Sequence, residues 1–410
     1  MAEPVTTPLV QPDPTDARFA ADPEAVYGPI RARAPVWWWE EARGWLVTGH
    51  APFVEASRHD DLVIDRRLWE HYEAPTDPIA LAMEDRLDEA LPMMADGPHD
   101  RVRGLLGKAF TPRAVARLEP SIREILGELI EGLRPKGRFD LVADLANWYP
   151  IRVISRMFGI PPNSEREARF KQYADVFVRS VNPFLSADER ARSARVQLKF
   201  FELVAEVVEE HRADPRDDIL SALITAEEDG DRLSTPELLN LVLGLIMAGT
   251  ETTASAVAVG MYELLRHPDQ LEVFREDPSV RANAVLELLR VGAGLQIERF
   301  ARRDLEIAGV PIRKGQMVVA SLYAAHHDPA VFPEPETLDL RRDLKELAVF
   351  GGGRHFCLGT QLAKLELQIA YSTLIDGLPG LRLAVPANDI EITCDNRRSV
   401  VSLPLEFDPA

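Results

Sequence analysis

Residues 350–359 read FGGGRHFCLG and are followed from Thr360 by a helical pattern. Glycines let a backbone pass close to another group, and a cysteine just before a helix lies near N–H groups that stabilise a thiolate. Arg354 and His355 are cationic candidates beside it. A lone Cys357 would more often be a small buried hydrophobe, and the phosphate-loop pattern Gly-x-x-x-x-Gly-Lys-Ser/Thr is missing. The full spacing is therefore more informative than any one residue.

This segment resembles the cysteine signature of the cytochromes P450, Phe-Gly-x-Gly-x-His-x-Cys-x-Gly, at every fixed position. The resemblance implies that Cys357 is the thiolate ligand to the iron of haem b. It also implies that His355 contacts a haem propionate and that Phe350 shields the sulfur side of the haem. Gly351 and Gly359 are expected to bring the loop close to the cofactor.

A long apolar stretch runs from Leu238 to Leu265 with a few polar interruptions. A membrane-spanning helix needs about 20 predominantly apolar residues, and the interruptions favour a buried core helix instead. Ser234 at the N-cap and Glu237 at the capping-box position mark its start. At about 1.5 Å per residue, a helix that reaches Arg266 is roughly 45–50 Å long and crosses the whole domain.

The middle of this helix reads AGTETT at residues 248–253. Glycine and threonine are poor helix formers, and threonine hydroxyls compete for backbone carbonyls and bend a helix. The residues alone also fit a polar interruption in a core helix. The run resembles the oxygen-binding segment of the cytochromes P450. That resemblance implies a groove at Ala248 and Gly249, a hydrogen bond from Thr252 to dioxygen, and proton relay by Glu251.

Three cationic side chains match positions that contact the haem propionates in the family. His99 and Arg103 lie four residues apart within DGPHDRVR, residues 96–103, and so share one helix face. Arg299 stands in the later run ERFA. Arginine suits a carboxylate because its fork can donate two parallel hydrogen bonds. Each residue alone would more often be a solvated charge, but the three in family order favour propionate binding.

A structural Glu-x-x-Arg pair is predicted at Glu287 and Arg290, because side chains at spacing i,i+3 can meet on a helix. Glu263 and Arg266 have the same spacing but end the long helix itself. The family's pair lies between that helix and the cysteine loop, which selects the later pair. Arg342 would complete a buried triad.

The chain has 410 residues and a net charge of -19, with 46% hydrophobic and 28% charged residues, which is an ordinary globular composition. The negative charge argues against binding to nucleic acid or to an anionic membrane surface. Two cysteines imply no disulfide framework. With no signal-like or anchoring segment at the N-terminus, we expect a cytoplasmic protein. The proline-rich residues 1–14 are expected to be flexible, and residues 15–410 to form a single haem-thiolate domain.

The predicted fold is mainly α with small β-sheets, of the cytochrome P450 type, with a long central helix crossing the domain. Amphipathic helical patterns run from Pro98 to Arg290. A β-hairpin is expected within residues 36–48. Further strands are expected at residues 305–310, 316–322 and 400–405.

The resemblance implies monooxygenase chemistry, in which one oxygen atom of dioxygen enters a lipophilic substrate by hydroxylation or epoxidation. Electrons are expected from a separate ferredoxin and its reductase, since two cysteines cannot supply four cluster ligands. Five basic residues are the predicted docking patch: Arg101, Lys108, Arg113, Arg354 and Lys364. The alternatives are a haem-thiolate enzyme that isomerises, dehydrates or couples its substrate, and a haem-free helical binding protein.

The family topology places several segments over the distal face of the haem, and their apolar residues are expected to line the substrate pocket. These residues are Met93, Phe177, Val181, Phe184, Leu243, Met247, Leu295, Ile297 and Val400. Two runs, WWEEARGWLVT at residues 38–48 and RLSTPEL at residues 232–238, resemble members that tailor macrolides. Fatty acids, terpenoids and steroids stay open as substrates. Gly294 departs from the family pattern, which often has proline there.

Overall fold

Helices dominate the computed structural model, which describes residues 10–13, 16–91, 93–94, 96–107, 110–179, 186–228, 231–292, 294–394 and 397–408. Most of the N-terminal segment predicted over residues 1–14 lies outside these ranges. Lys108 of the predicted docking patch also lies outside them, as do Val181 and Phe184 of the predicted substrate pocket.

The longest described helix, α12, contains 31 residues. The helices in chain order are α1 Ala17–Ala21, α2 Glu24–Arg33, α3 His50–Arg58, α4 Pro78–Asp88, α5 Asp96–Gly107, α6 Pro112–Ala116, α7 Glu119–Glu131, α8 Tyr149–Met157, α9 Glu165–Arg179, α10 Ala187–Ala213, α11 Ile219–Thr225, α12 Thr235–Leu265, α13 Pro268–Glu276, α14 Arg281–Gly292, α15 Leu322–His326 and α16 Thr360–Gly377.

The strands are short and form several small sheets. They are β1 Val36–Trp39, β2 Gly44–Val47, β3 Leu62–Val63, β4 Arg138–Asp140, β5 Glu227–Glu228, β6 Asp231–Arg232, β7 Gln296–Ala301, β8 Leu305–Ile307, β9 Val310–Ile312, β10 Met317–Ser321, β11 Arg382–Leu383, β12 Ile392–Cys394, β13 Arg398–Val400 and β14 Pro404–Glu406. The largest described sheet has the order β1-β2-β10-β7-β3, and a second has the order β11-β14-β4. The pairs β5-β6, β8-β9 and β12-β13 are separate two-stranded sheets.

Helix α12 lies in the middle of the helical core, packed against α8, α9, α10, α14 and α16. Its N-terminus has the predicted capping box, in which the side chains of Ser234 and Glu237 each accept a hydrogen bond from the other's backbone N–H. Tyr371 of α16 donates a hydrogen bond of 2.7 Å to the carbonyl of Ala256, which fixes α16 across α12. By length and composition α12 could cross a membrane, but many of its side chains are buried against the neighbouring helices.

The predicted N-terminal hairpin is confirmed, since β1 and β2 pair antiparallel with Val36 opposite Val47. The prediction of a single strand at residues 305–310 is wrong. Ala308 and Gly309 have φ values of 49° and 79°, which turn the chain back and create the hairpin β8–β9. The strand predicted at residues 400–405 is likewise divided between β13, which pairs with β12, and β14, which pairs with β4 and β11.

The structure brings Glu287, Arg290 and Arg342 together in the core. Arg342 Nε lies 3.1 Å from Glu287 Oε1, and the side chains of Glu287 and Arg290 are fully buried. Glu263, which has the same sequence spacing to Arg266, contacts an arginine that is 39% exposed. Arg266 of the earlier pair therefore lies near the surface at the end of α12, whereas Glu263 is buried.

Candidate functional site

The cysteine loop places Cys357 between a short 3-10 turn, Gly353–His355, and the start of helix α16. The N–H of Cys357 donates to the carbonyl of Phe350 at 3.0 Å, which closes the loop. Thr360 Oγ1 donates to the carbonyl of Cys357 at 2.7 Å. Gly353 has a φ of 63°, and a Cβ there would lie 3.0 Å from the Cα of Arg58. Glycine is therefore required where the loop passes helix α3.

The protonation of the Cys357 sulfur depends on burial and on the groups that lie close to it. Burial raises the pKa of the Cys357 thiol, and the N–H of Gly359, the hydroxyl of Thr360 and the charge of Arg103 offset only part of that rise. A positive metal ion at the sulfur reverses this balance, because a coordinated thiol is deprotonated. Without a positive partner, the Cys357 sulfur is therefore not a free nucleophilic thiolate.

The two cations predicted beside the sulfur have other partners. Arg354 forms an ion pair with Asp100 of α5. Burial and the cationic neighbours Arg299, His99 and Arg103 lower the pKa of His355 to about 3, so its ring is neutral. Arg354 is therefore paired with a carboxylate and His355 is neutral, so neither adds a free positive charge beside the sulfur.

The four predicted propionate contacts, two arginines and two histidines, lie together beside the cysteine loop. The rings of His99 and His355 lie 4.5 Å apart. Arg103 donates to the carbonyl of Phe356 at 2.6 Å, and burial lowers the pKa of Arg299 to about 10. A buried guanidinium whose charged form is disfavoured gains when an anion approaches. The cluster therefore has the charge and the donors to hold carboxylates such as the two haem propionates.

The middle of α12 contains an open face. Ala248 and Thr252, one turn apart, are exposed, although residues before and after them on the helix are buried. Exposure at the centre of a core helix means that the helix borders internal space at this point. Thr252 Oγ1 donates to the carbonyl of Ala248 at 2.6 Å, and Thr250 Oγ1 donates to the carbonyl of Ile246 at 2.8 Å. The helix is continuous through this segment. The two hydroxyl hydrogen bonds to backbone carbonyls are therefore what perturbs the helix locally.

Glu251, the predicted proton relay, forms an ion pair with Arg397, which immediately precedes strand β13. The Glu251 side chain is 37% exposed and the Arg397 side chain 15%. Sequence reasoning missed Arg397, because a contact between segments so far apart in the chain leaves no local pattern. Gly249, the remaining predicted groove residue, has only the side chain of Ile154 close to where a Cβ would be.

The predicted pocket residues divide into two groups. Phe177, Leu243 and Val400 are almost fully buried in the hydrophobic core, and the ring of Phe177 packs edge-on against Phe200. Their side chains are used in core packing and do not border open space. The half-buried members are Met93, Met247, Leu295 and Ile297.

The predicted docking patch is only partly available to a partner. Arg101 is paired with Glu237, and Arg354 is paired with Asp100. Lys364 Nζ lies 5.6 Å from the ring centre of Phe350, which is a cation–π contact. Arg113 is exposed at the surface. The paired cations contribute less net positive potential than a count of basic residues indicates.

Comparison with known proteins gives consistent relatives. The sequence model for the family described as cytochrome P450 matches residues 85–379. Cytochrome P450 CYP107DY1 of Priestia megaterium is 40% identical over 310 residues, which are 75% of this chain and 74% of that protein. Epothilone C/D epoxidase of Sorangium cellulosum is 33% identical over 384 residues, 92% of this chain and 91% of that protein. The crystal structure of epothilone D-bound cytochrome P450epoK matches with a TM-score of 0.89 at 30% identity, covering 98% of this chain and 100% of that one.

Proposed function

The chain belongs to the cytochrome P450 family, and we propose that it oxidises a macrolactone with electrons supplied by a ferredoxin. The enzyme is a haem-thiolate monooxygenase whose cofactor is haem b. A lipophilic substrate, dioxygen, two electrons and two protons give the hydroxylated or epoxidised product and one water molecule. The proposal places the enzyme in the cytoplasm, with residues 15–410 as one haem-thiolate domain. No observation favours the isomerising or haem-free alternatives.

Bound haem b supplies the activation of dioxygen. Cys357 holds the iron in this proposal, with Phe350 beside the sulfur. Gly351 and Gly359 carry no side chains that would keep the loop away from the porphyrin. The support is the closed loop, in which the Cys357 N–H donates to the Phe350 carbonyl at 3.0 Å just before helix α16.

His99, Arg103, Arg299 and His355 would hold the propionates of a bound haem, with the two arginines supplying the positive charge. Charge-assisted hydrogen bonds from arginine to carboxylate are among the stronger polar contacts in proteins. Ala248 and Gly249 of α12 would leave room for the cofactor and dioxygen, because their side chains are small or absent.

Thr252 and Glu251 deliver protons in this proposal. The Thr252 hydroxyl donates to its own helix and lies on the open face, so rotation about χ1 redirects the proton into the groove. The Glu251 side chain is partly exposed, so water can reach the carboxylate from which a general acid would deliver protons.

The substrate class rests chiefly on one relative. An enzyme named for epothilone epoxidation matches about nine-tenths of both chains, at 92% and 91%. The half-buried apolar side chains of Met93, Met247, Leu295 and Ile297 offer a lipophilic wall to such a ligand. A macrolactone buries more apolar surface per lost rotor than an open chain, because its ring is already closed.

The test is a titration of the haem-loaded enzyme followed by the Soret band, with turnover checked by mass spectrometry. The probes are epothilone D, its ring-opened seco-acid as the matched control, vitamin D(3) and hexadec-9Z-enoic acid. We expect epothilone D to shift the Soret band at a concentration at least about tenfold lower than the seco-acid, and to gain one oxygen atom. Tighter binding and oxidation of either vitamin D(3) or the fatty acid would assign another substrate class.

The redox partner is tested by charge reversal. Arg113→Glu, at the exposed residue of the docking patch, is expected to slow reduction by a ferredoxin at low ionic strength. The difference from the unaltered enzyme should vanish at high salt, because screening removes long-range attraction. Arg382→Glu, on the sheet β11-β14-β4, is the control. Equal reduction rates of all three proteins at every ionic strength would argue against docking at this patch.

A further inference from the structure

Two consecutive arginines near the C-terminus contact two glutamates of helix α12. Arg397 pairs with Glu251. Arg398 Nη1 lies 3.0 Å from Glu263 Oε1, and the side chains of this second pair are only 5% and 6% exposed. Glu251 and Glu263 lie about three turns apart on α12. The chain at Arg397–Arg398 therefore crosses α12 between the two glutamates and sends one arginine toward each end of the helix.

The backbone at this crossing is tied to the helix by Ser255. Ser255 Oγ donates to the carbonyl of Arg398 at 2.8 Å and lies 3.2 Å from Ser399 Oγ. Ser255 follows Glu251 by one helical turn and so lies on the same face. The guanidinium of Arg397 thus reaches Glu251 from a backbone segment that is hydrogen-bonded to the same helix.

Gly294 packs closely against Arg398, on the side of the crossing away from α12. A Cβ at Gly294 would lie 2.4 Å from both the backbone N and the Cβ of Arg398, so any other residue would displace strand β13. Gly294 is followed by Leu295 and Ile297, which are half-buried and predicted to face the substrate. The hairpin β12–β13 is therefore wedged between this segment and α12, and its position sets that of Arg397.

We propose that Arg397 is a positioning residue, which holds the carboxylate of Glu251 in the orientation from which it delivers protons. The proposal rests on the monooxygenase reaction and on the role of Glu251 proposed above. Product formation consumes two protons and two electrons per dioxygen. When proton delivery is misdirected, dioxygen takes up two electrons and two protons and leaves as hydrogen peroxide. The coupling, defined as the fraction of electrons that ends in product, therefore reports how well Glu251 is placed.

The experiment compares variants of the haem-loaded enzyme, with epothilone D as the probe substrate. The variants are Arg397→Gln, Arg397→Lys, Glu251→Gln, the double variant Arg397→Gln with Glu251→Gln, and the control Arg266→Gln. Arg266 forms an ion pair of 3.2 Å with Glu263 on the same helix. The control therefore removes an arginine–glutamate pair of α12 without touching Glu251.

We expect Arg397→Gln to lower the coupling roughly tenfold, since small misplacements of a catalytic group cost that much or more. The dissociation constant of epothilone D should stay within about twofold. Arg397→Lys, which keeps the charge, should recover most of the coupling, and Arg266→Gln should leave it unchanged. On the Glu251→Gln background, Arg397→Gln should have no further effect, because nothing is left to position. A merely structural arginine would lower the coupling in both backgrounds, and that result would overturn the proposal.

Amide hydrogen exchange gives a readout that does not depend on turnover. Because Ser255 and Gly294 fix the hairpin β12–β13, Arg397→Gln, Glu251→Gln and Arg266→Gln are all expected to leave exchange at residues 397–401 unchanged. Faster exchange there in Arg397→Gln would assign Arg397 a structural role, and would overturn the proposal. Failure of the proposed function looks different: the unaltered enzyme then gives no oxidised epothilone D, whereas an unaltered coupling in Arg397→Gln overturns the role of Arg397 alone.

Discussion

Arg290 donates two hydrogen bonds to Glu287, from Nε at 2.7 Å and from Nη2 at 2.9 Å, and neither side chain is exposed to solvent. Arg290 also donates to the carbonyl of His326 at 3.0 Å, and Arg342 Nε donates to Glu287 at 3.1 Å. These bonds tie α14 to α15 and to the segment that leads into the cysteine loop. A buried charge that loses its partner keeps the cost of its desolvation, so the group holds together as a unit.

Arg290→Lys should destabilise the enzyme strongly, because lysine keeps the charge but cannot reproduce the two parallel bonds of the guanidinium. We expect a loss of about 3 kcal/mol in the free energy of unfolding, measured by urea denaturation. Arg266→Gln, which removes the more exposed pair to Glu263, should cost less than about 1 kcal/mol. Equal losses in the two variants would contradict a special role for the buried pair.

Arg299→Gln should weaken retention of the haem. A hydrogen bond to a charged group contributes about 1.5–3 kcal/mol, which corresponds to haem loss roughly ten- to hundredfold faster. The rate is measured by transfer of haem to apomyoglobin. Arg382→Gln, which breaks exposed pairs to Glu406 and Asp408, is the control. Identical transfer rates in all three proteins would remove Arg299 from the propionate site.

Glu366 should make the enzyme less stable as the pH rises. Burial raises the pKa of this carboxyl of α16 from 4.5 to about 8, so between these values the folded state holds a proton that the unfolded state releases. Stability from this group is complete below about pH 4.5 and is lost as the pH rises through about 8, with a slope of at most about 1.4 kcal/mol per pH unit.

The check is the free energy of unfolding of Glu366→Gln and of the unaltered enzyme between pH 5.5 and 9. Glutamine is isosteric and stays neutral, so the variant should lose the downward slope and become the more stable protein at alkaline pH. Parallel curves for the two proteins would mean that Glu366 is ionised throughout this range.

Thr252→Ala should divert electrons from product to hydrogen peroxide, because the hydroxyl on the open face of α12 is lost. The expected fall in coupling is tenfold or more, on the scale of about 10²–10⁴ for general acid–base groups. Thr250→Ala is the matched control, since the buried Thr250 hydroxyl also donates to its own helix. Product and peroxide are quantified per electron pair consumed. The same loss in both variants would point to a helix defect rather than to proton delivery.

Short-range patterns predicted the elements that the structure confirms. The capping box at Ser234 and Glu237 lies within one turn, and the hairpin β1–β2 is closed by neighbouring residues. Resemblance to the family placed Cys357, Arg103 and Arg299, which no local pattern brings together. The strand pattern gave a wrong prediction at residues 305–310. Ala308 adopts a positive φ there and turns the chain, which is unusual for alanine and which the strand pattern did not indicate.

Contacts between distant segments were not predictable from local sequence. The ion pairs of Arg397 with Glu251, and of Arg354 with Asp100, depend on how whole elements pack. Apolar character also could not separate pocket from core. Phe177 was expected at the substrate, and its buried ring packs edge-on against Phe200 of α10.

In the proposed enzyme, Cys357 ligates a haem iron as a thiolate. This ligation is tested most directly by the absorption spectrum of the purified enzyme, reduced with dithionite and exposed to carbon monoxide. We expect a Soret band shifted far to the red in the unaltered enzyme and lost in Cys357→His. A band at the shorter wavelength typical of a histidine or neutral thiol ligand, or no haem absorption after reconstitution, would contradict the account.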